Sequence, residues 1–435
     1  MSALKVLHIS DYYPGLHRNC GGAETIAGRI TEILSGTGFH QGLFTTAIEY
    51  GNPSPGHLEI FETKTLEDYL PDKTWLTAVK SQLFPFDPVI ESPLNQTLEN
   101  FSPDVVLIHN TKRLTFSVAA IFRRRGIPTG CMIYDYTHFC PAGMLVDDKG
   151  RLCRSPGDSC ILCHKRQAEK IKKWSEALLP LRQVFFGPLT DSVSTFCTLS
   201  EASRHLLIQL GIPLEKTEIA YQPLPQPQPS IVENSDPNHV LFVGWVQARK
   251  GLLLIARALG RVRKKFTFEA IGETADPQYA KQVKKALASA GLEPDQCMKG
   301  RVTDAYLKSA IEKAGIIIIA EQWENMSPAI LHEAMASGKC IVAGAVGGIP
   351  EFINHNINGF LVHYNDPSAY ARAIDRLLGD REEQSRLGHK AALDAQPYTD
   401  RKAMSERYKA LLIKIAHGPL IKGSPTHDFS DKTTP

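Results

Sequence analysis

The chain has 435 residues, a formal net charge of +3, and 43% hydrophobic against 22% charged residues. Its length favours two domains over one, and its composition is that of a globular protein with enough apolar residues for two cores. The small net charge gives no reason to expect nucleic acid as a partner. No apolar run approaches the roughly 18 residues of a membrane-spanning helix, and the chain enters a strand without a signal peptide. We therefore expect a soluble, cytoplasmic protein.

A glycine pair follows the first predicted strand. Residues Lys5–Ser10 predict that strand, and Gly21-Gly22-Ala23-Glu24 opens a helix that runs to about residue 38. Glycines between a first strand and a first helix let the backbone approach a phosphate or a sugar. The other interpretation is a tight strand-to-helix turn.

Two further predicted strands end in polar pairs. The strand over residues 103–110 ends in His109-Asn110, and the next strand leads into Tyr134-Asp135. The carboxyl ends of parallel strands share one edge of a sheet, which is the ligand side of such folds. The stretch before these strands, from residue 51 to residue 100, predicts a loop and helices.

A cysteine cluster follows, in a predicted insertion over residues 138–165. Four thiolates can complete the tetrahedral shell of zinc, and the Cys-x-x-Cys spacing lets one turn present two sulfurs. We favour a structural zinc; an iron–sulfur cluster and free or redox thiols are the alternatives. The cysteines span 24 positions and are Cys140, Cys153, Cys160 and Cys163.

Composition marks the domain boundary. The proline-rich, polar segment 223–237 predicts a semi-stiff linker between a first domain over residues 1–222 and a second over residues 238–396. Residues 397–416 predict a terminal helix, and the polar tail 417–435 predicts disorder. A basic segment within the first domain, residues 165–193, is typical of a solvated helix face, and contact with an anionic membrane surface is the alternative.

Strands and helices alternate in the second domain, which predicts a doubly wound parallel sheet. Its first strand ends at Gly244, and Arg249-Lys250 follows at a helix start. Two cations there oppose the helix dipole unless an anion is bound, although a solvated helix start is the other interpretation.

The unit over residues 316–351 is the most informative stretch. Four isoleucines predict a strand buried on both faces, and Ser327 and Pro328 predict the N-cap and first residue of a helix. The helix N-terminus suits a phosphate, Glu333 offers a carboxylate to ribose hydroxyls, and Gly347-Gly348 lets a backbone approach a ligand. An ordinary strand-helix-strand unit is the alternative.

This unit resembles the signature of retaining nucleotide-sugar glycosyltransferases of the GT-B fold, in particular the large family four. The resemblance implies an α/β fold of two Rossmann-like, doubly wound parallel-sheet domains that face a cleft, with a C-terminal helix crossing back to the first domain. It implies Glu333, Lys250 and Arg249 as the residues that carry transfer. It also implies donor binding by a set of backbone and side-chain groups: Gly21, Gly22, Gly244, Glu324, Asn325, Met326 and Ser327.

The resemblance also places His109, Tyr134 and Asp135 at the sugar or acceptor. Three positions depart from the family pattern. Tyr134 replaces a histidine that reaches the donor sugar, Trp245 replaces an arginine, and Asn325 replaces the first glutamate of a Glu-x7-Glu pair. Arg249 is close enough to supply the missing charge.

The function that the resemblance implies is transfer of a sugar from a nucleotide diphosphate sugar (UDP-, GDP- or another) to a glycan or lipid-linked acceptor. Retention, no catalytic metal, and peripheral contact with the inner membrane face are further expectations. A GT-B protein that binds a nucleotide or partner without catalysis is the alternative, because three site positions are changed. An epimerase of the same fold would need acid and base residues that the sequence does not identify.

Overall fold

The computed structural model of the protein describes residues 4–18, 20–49, 55–73, 75–147, 150–153, 182–225 and 235–418. Within them, two parallel sheets form, one in each half of the chain. The strands are β1 (Lys5–Ser10), β2 (His40–Thr46), β3 (Glu59–Thr63), β4 (Val105–Asn110), β5 (Thr129–Met132), β6 (Thr195–Thr198), β7 (Thr217–Ile219), β8 (Asp236–Val243), β9 (Thr267–Ile271), β10 (Met298–Gly300), β11 (Ala314–Ile319), β12 (Cys340–Gly344) and β13 (Phe360–Val362).

The described helices connect these strands and cover both sheets. They are α1 (Gly22–Leu34), α2 (Leu66–Tyr69), α3 (Leu76–Gln82), α4 (Glu91–Phe101), α5 (Val118–Arg124), α6 (Arg182–Asp191), α7 (Glu201–Gln209), α8 (Leu252–Leu259), α9 (Pro277–Ser289), α10 (Pro294–Cys297), α11 (Asp304–Lys313), α12 (Ala329–Ala336), α13 (Ile349–Phe352), α14 (Pro367–Leu377), α15 (Arg381–Thr399) and α16 (Arg401–His417). None of these helices is both long and apolar enough to span a membrane.

Both sheets have the strand order of doubly wound folds. The first runs β3-β2-β1-β4-β5-β6-β7, and the second runs β10-β9-β8-β11-β12-β13. Alternate residues of β11 enter separate apolar clusters, Ile316 and Ile318 on one face and Ile317 and Ile319 on the other. A run of isoleucines therefore forms a central strand here, because each face needs apolar side chains.

Three strands, the long helix α15 and the one-turn helices α10 and α13 were not predicted. β3 lies in the stretch where loops and helices were expected, and that prediction was wrong for this segment. Its two glutamates and partial exposure are those of a sheet edge, which carries a weak hydrophobic signal. β2, β7 and the polar helix α15 were also missed, and β8 begins at Asp236, inside the predicted linker.

The C-terminal helix α16 returns to the first domain, as the GT-B resemblance implied. It packs against α1, β4 and β5, and Leu412 and Ile415 are buried in the first domain's apolar cluster. At its start, Arg401 donates to the backbone carbonyl of Glu32 at 2.7 Å. The Tyr408 hydroxyl donates to the carbonyl of Tyr221 at 3.1 Å. α16 thus packs the C-terminal part of the described chain against the first domain.

A buried lysine of the first domain, Lys80, pairs with two acidic side chains. The ammonium of Lys80 pairs with Glu67 at 2.6 Å and also with Asp87, whose side chain is fully buried. We expect Lys80→Met to lower the free energy of unfolding by about 3–5 kcal/mol, because it leaves the buried carboxylate of Asp87 and the partly buried one of Glu67 without their cation. Chemical denaturation of the native chain and of the Lys80→Met variant measures this difference in the free energy of unfolding.

Lys390→Met is the matched control, since Lys390 pairs with Asp394 on an exposed helix face. Its effect should stay below about 1 kcal/mol, as for other exposed ion pairs. Equal effects of the two substitutions would contradict the importance assigned to Lys80.

Candidate active site

The loop after β8 carries Arg249 and Lys250, and we call it the cation loop. One buried carboxylate, that of Glu321, holds it in place. The Lys250 ammonium donates to Glu321 Oε1 at 2.6 Å, and the Trp323 indole N–H donates to Glu321 Oε2 at 2.6 Å. Glu321 lies two residues after the end of β11 and is 2% exposed. A lysine ammonium has three donors, so this pair leaves two N–H groups of Lys250 for another acceptor.

Arg249 lies beside Lys250 and stacks on the same tryptophan. Its guanidinium is 5.3 Å from the centre of the Trp323 ring, a cation–π contact. Its carbonyl accepts a hydrogen bond from Gln322 N at 2.8 Å. Trp245, at the position where the family has arginine, is exposed at the end of β8. Arg249 therefore provides the second cation of this loop in place of residue 245.

The loop after β11 inserts into the first domain. Trp323 and Met326 belong to the first domain's apolar cluster, and the Trp323 ring meets Tyr136 edge to face at 6.4 Å. Glu324 and Asn325 are also buried. The predicted donor-binding residues of this loop thus lie in the contact between the two domains.

Gly347 and Gly348 approach the chain's own backbone. A Cβ on Gly347 would lie 2.1 Å from the carbonyl oxygen of Asn325, and a Cβ on Gly348 would lie 1.9 Å from that of Met326. The Gly348 N–H donates to the Asn325 carbonyl at 2.9 Å. The interpretation that this pair opens space for a ligand is corrected: it opens space for the 325–326 backbone.

The helix after this loop begins later than predicted. α12 starts at Ala329, with Pro328 as N-cap in an extended conformation. Ser327 does not cap the helix because its hydroxyl accepts a hydrogen bond from Gln222 at 2.9 Å and contacts the His332 ring. Its N–H is bound by the Asn325 side chain at 3.1 Å.

Glu333 makes an ion pair across the cleft. The Arg29 guanidinium of α1 donates to Glu333 Oε1 at 2.8 Å, and both side chains are partly exposed. The pair lies in a cavity of about 840 Å³ between α1, α11 and α12, a size typical of ligand sites. Charged side chains from both domains line it, among them Glu32, Asp304 and Lys308.

The glycine loop of the first domain is tied to β4 through Glu24. Gly21 is the N-cap of α1 and Gly22 is its first residue. Glu24 accepts from the Gly21 N–H at 2.8 Å and from the Asn110 side chain at 2.6 Å. In the second domain, Gly244 ends its strand, with its N–H bound to the Ile271 carbonyl at 2.9 Å.

His109, Tyr134 and Asp135 lie together at the carboxyl edge of the first sheet. His109 Nδ1 and the Tyr134 hydroxyl are 2.9 Å apart. Burial alone would raise the pKa of Asp135, but the Lys112 ammonium and hydrogen bonds from Thr137 lower it. The Asp135 carboxylate is therefore an ionised acceptor at this edge.

The cysteine insertion is described only in part. Cys140 is buried, and Cys153 donates its N–H to the Leu145 carbonyl at 2.7 Å. Cys160 and Cys163 lie outside the described residues. Among the residues that the structure does describe, no three His, Cys, Asp or Glu side chains are placed to hold a metal ion. The structural zinc stays a prediction.

The sequence analysis did not identify two residues of the site, Glu321 and Arg29. Glu321 follows the isoleucine strand, and an acid directly after a buried strand was the available signal. Arg29 lies 304 positions from Glu333 and shows no local signal for that pairing.

The fold of the chain is GT-B. It matches the solved structure of Anabaena Alr3699/HepE in complex with UDP and glucose with a TM-score of 0.65 at 17% identity, covering 94% of this chain and 100% of that one. It matches the sucrose-phosphate synthase of Thermosynechococcus elongatus with a TM-score of 0.69 at 16% identity, over 95% and 99% of the two chains.

Residues 226–394 match the family model described as Glycosyl transferases group 1. This segment contains every described strand of the second sheet. An alpha-maltose-1-phosphate synthase of Mycobacterium tuberculosis is 31% identical over 165 residues, which are 35% of this chain and 42% of that protein. The chain thus spans about two fifths of the length of the curated relatives that it matches.

Close packing at Gly348 generates a stability prediction. We expect Gly348→Ala to lower the free energy of unfolding by at least about 2 kcal/mol, because the added methyl overlaps the Met326 carbonyl and the Ser200 side chain. Gly56→Ala, which meets no atom within 4 Å, is the control and should change little. Urea denaturation compares them, and a neutral Gly348→Ala would refute the packing argument.

His332 generates a pH prediction. Burial, with a smaller contribution from Arg29, lowers the pKa of His332 from 6.5 to about 3. Between these values the unfolded chain binds a proton that the folded chain does not, so stability falls as pH drops below 6.5. We expect this residue alone to remove about 2 kcal/mol between pH 7 and pH 5.

Urea denaturation of the native chain and of the His332→Gln variant at pH 7 and pH 5 measures the loss of stability that is due to His332. The variant should lose less stability on acidification, whatever its stability at pH 7. His205→Gln, at an exposed helix position, should behave as the native chain does. An unchanged pH dependence in His332→Gln would overturn the assignment.

Proposed function

We propose that the protein transfers a sugar from a nucleotide diphosphate sugar to a glycan or lipid-linked acceptor, with retention. The observation that carries this proposal is the held pair of cations in the loop after β8. Glu321 fixes Lys250, and Trp323 fixes Arg249, at the carboxyl edge of the second sheet. Preorganised charge of this kind stabilises a departing diphosphate, because the cations need no reorganisation during the reaction.

In this proposal the second domain binds the donor. Lys250 and Arg249 hold the diphosphate, and Glu333 accepts hydrogen bonds from the ribose. The two cations supply the charge that a catalytic metal provides in other transferases. Because a structure of similar fold was solved with UDP and glucose, UDP is the first nucleotide to test.

The first domain presents the sugar-side contacts. Tyr134 and Asp135 follow β5, and the glycine loop at Gly21 lies at the same edge, tied to β4 through Glu24. Donor and acceptor held between two domains react as one complex, so positioning contributes much of the rate. Cytoplasmic placement with peripheral membrane contact fits a lipid-linked acceptor and remains part of the proposal.

The Arg29–Glu333 pair supports a second candidate, a nucleotide- or partner-binding protein without transfer. The carboxylate proposed for the ribose is bound by a cation of the first domain. A ribose and Arg29 would compete for it. This candidate predicts that the pair persists when a nucleotide is present.

Thermal stability across a panel of nucleotide diphosphates tests the donor site. A nucleotide present at 100 times its Kd should stabilise the fold by about 2.7 kcal/mol. We expect a shift with one base, and its loss in both Lys250→Ala and Glu333→Ala, because each removes a proposed donor contact. Release of the nucleotide from its sugar in the presence of acceptors then measures transfer.

Lys284→Ala, on an exposed ion pair, is the control and should keep the shift. Arg29→Met should strengthen nucleotide binding by freeing Glu333. No shift with any nucleotide would refute the donor site. A shift without transfer under any acceptor condition would favour the second candidate.

A further inference from the structure

A line of hydrogen-bonded side chains crosses the first sheet under α1. It links four neighbouring strand positions, from β2 through β1 and β4 to the end of β5. His8 Nε2 is 3.2 Å from Gln41 Oε1, and His8 Nδ1 is 3.0 Å from His109 Nε2. His109 Nδ1 is 2.9 Å from the Tyr134 hydroxyl. We call these four residues the sheet relay.

The orientation of Gln41 fixes one end of the sheet relay. Its amide Nε2 donates to the carbonyl of Thr31 at 3.1 Å, near the C-terminus of α1, where carbonyls lack intrahelical partners. The reversed amide would place two oxygens against each other. Oε1 of Gln41 must therefore face His8 as an acceptor.

The neutral imidazoles of His8 and His109 continue the same donor-to-acceptor direction along the sheet relay. Burial lowers the pKa of His8 to about 4, and that of His109 well below its ordinary value. Each ring thus carries one proton at neutral pH. His8 donates from Nε2 to Gln41, so its Nδ1 accepts from His109 Nε2–H. His109 Nδ1 is then an acceptor, and the Tyr134 O–H must donate to it.

We propose that Gln41, acting through His8 and His109, turns the hydroxyl proton of Tyr134 into the sheet, so that Tyr134 meets a ligand only as an acceptor. Gln41, His8 and His109 are positioning residues in this inference. Tyr134 is partly exposed at the carboxyl edge of the sheet, whereas the three others are buried. The identity of the ligand as a sugar rests on the proposed function.

The chemical class of the contact follows from this direction. A group bound by Tyr134 must itself be a donor, such as a sugar hydroxyl. A phosphate oxygen or a ring ether oxygen finds no donor there. A site that accepts from a substrate hydroxyl discriminates strongly against the deoxy analogue, since its own acceptor is then left unpaired.

The direction is measured by NMR of the full chain labelled with ¹⁵N-histidine, with no ligand added. Protonated and unprotonated ring nitrogens have well-separated ¹⁵N shifts, and His8→Gln and His109→Gln variants assign the signals. We expect both rings as Nε2–H tautomers at pH 7. A His109 ring protonated on Nδ1 would overturn the inference.

Two variants test which end sets the direction. In Gln41→Met, His8 Nε2–H would be a buried donor without an acceptor, so we expect both rings to shift toward the Nδ1–H tautomer. In Tyr134→Phe, both should remain Nε2–H, because the Gln41 end is intact. A tautomer of His109 that follows Tyr134 and ignores Gln41 would refute the proposal.

Gln222→Met is the matched control, since it removes another buried glutamine, one that donates to Ser327. It should leave both tautomers unchanged. If Gln41→Met does not fold, the native tautomers and Tyr134→Phe still decide the direction. These measurements need no nucleotide, so a failure of the proposed function would appear in the nucleotide panel and leave them intact.

Discussion

The carboxylate of Glu321 connects the loop that carries Lys250 to the segment that enters the first domain. Burying an ionised carboxylate is costly unless it is paired and hydrogen-bonded, and Lys250 and Trp323 satisfy both of its oxygens. Lys250 comes from the loop after β8, and Trp323 enters the core of the first domain. One buried charge thus joins the cation loop to the domain contact.

The donor side and the domain contact are therefore parts of one unit. The loop that carries Trp323 and Met326 into the first domain also supplies the carbonyls against which Gly347 and Gly348 pack. A ligand that draws Lys250 away from Glu321 acts on this loop, because the same carboxylate holds Trp323. Glu321 thus contacts both a cation of this loop and the tryptophan that enters the first domain.

Sequence patterns predicted the parts of the fold whose signal is local. The isoleucines of β11 identified a central strand, whereas the roles of Lys250 and Glu333 were assigned from the resemblance and stay predictions. Ion pairs between distant positions could not be predicted, since Glu321 is 71 positions from Lys250 and Arg29 is 304 from Glu333. The start of α12 was missed for a similar reason: Gln222, 105 positions away, binds the Ser327 hydroxyl that a local rule assigned to the cap.

Each position that departs from the family pattern has a supporting contact nearby within the chain. Trp245 leaves no cation at its position, but Arg249 is held on the face of Trp323 and restores the charge. Asn325 lacks the carboxylate of the family's glutamate, but its side chain accepts a hydrogen bond from the Ser327 N–H and orders the loop. Tyr134 replaces a histidine, but His109 lies behind it and orients its hydroxyl.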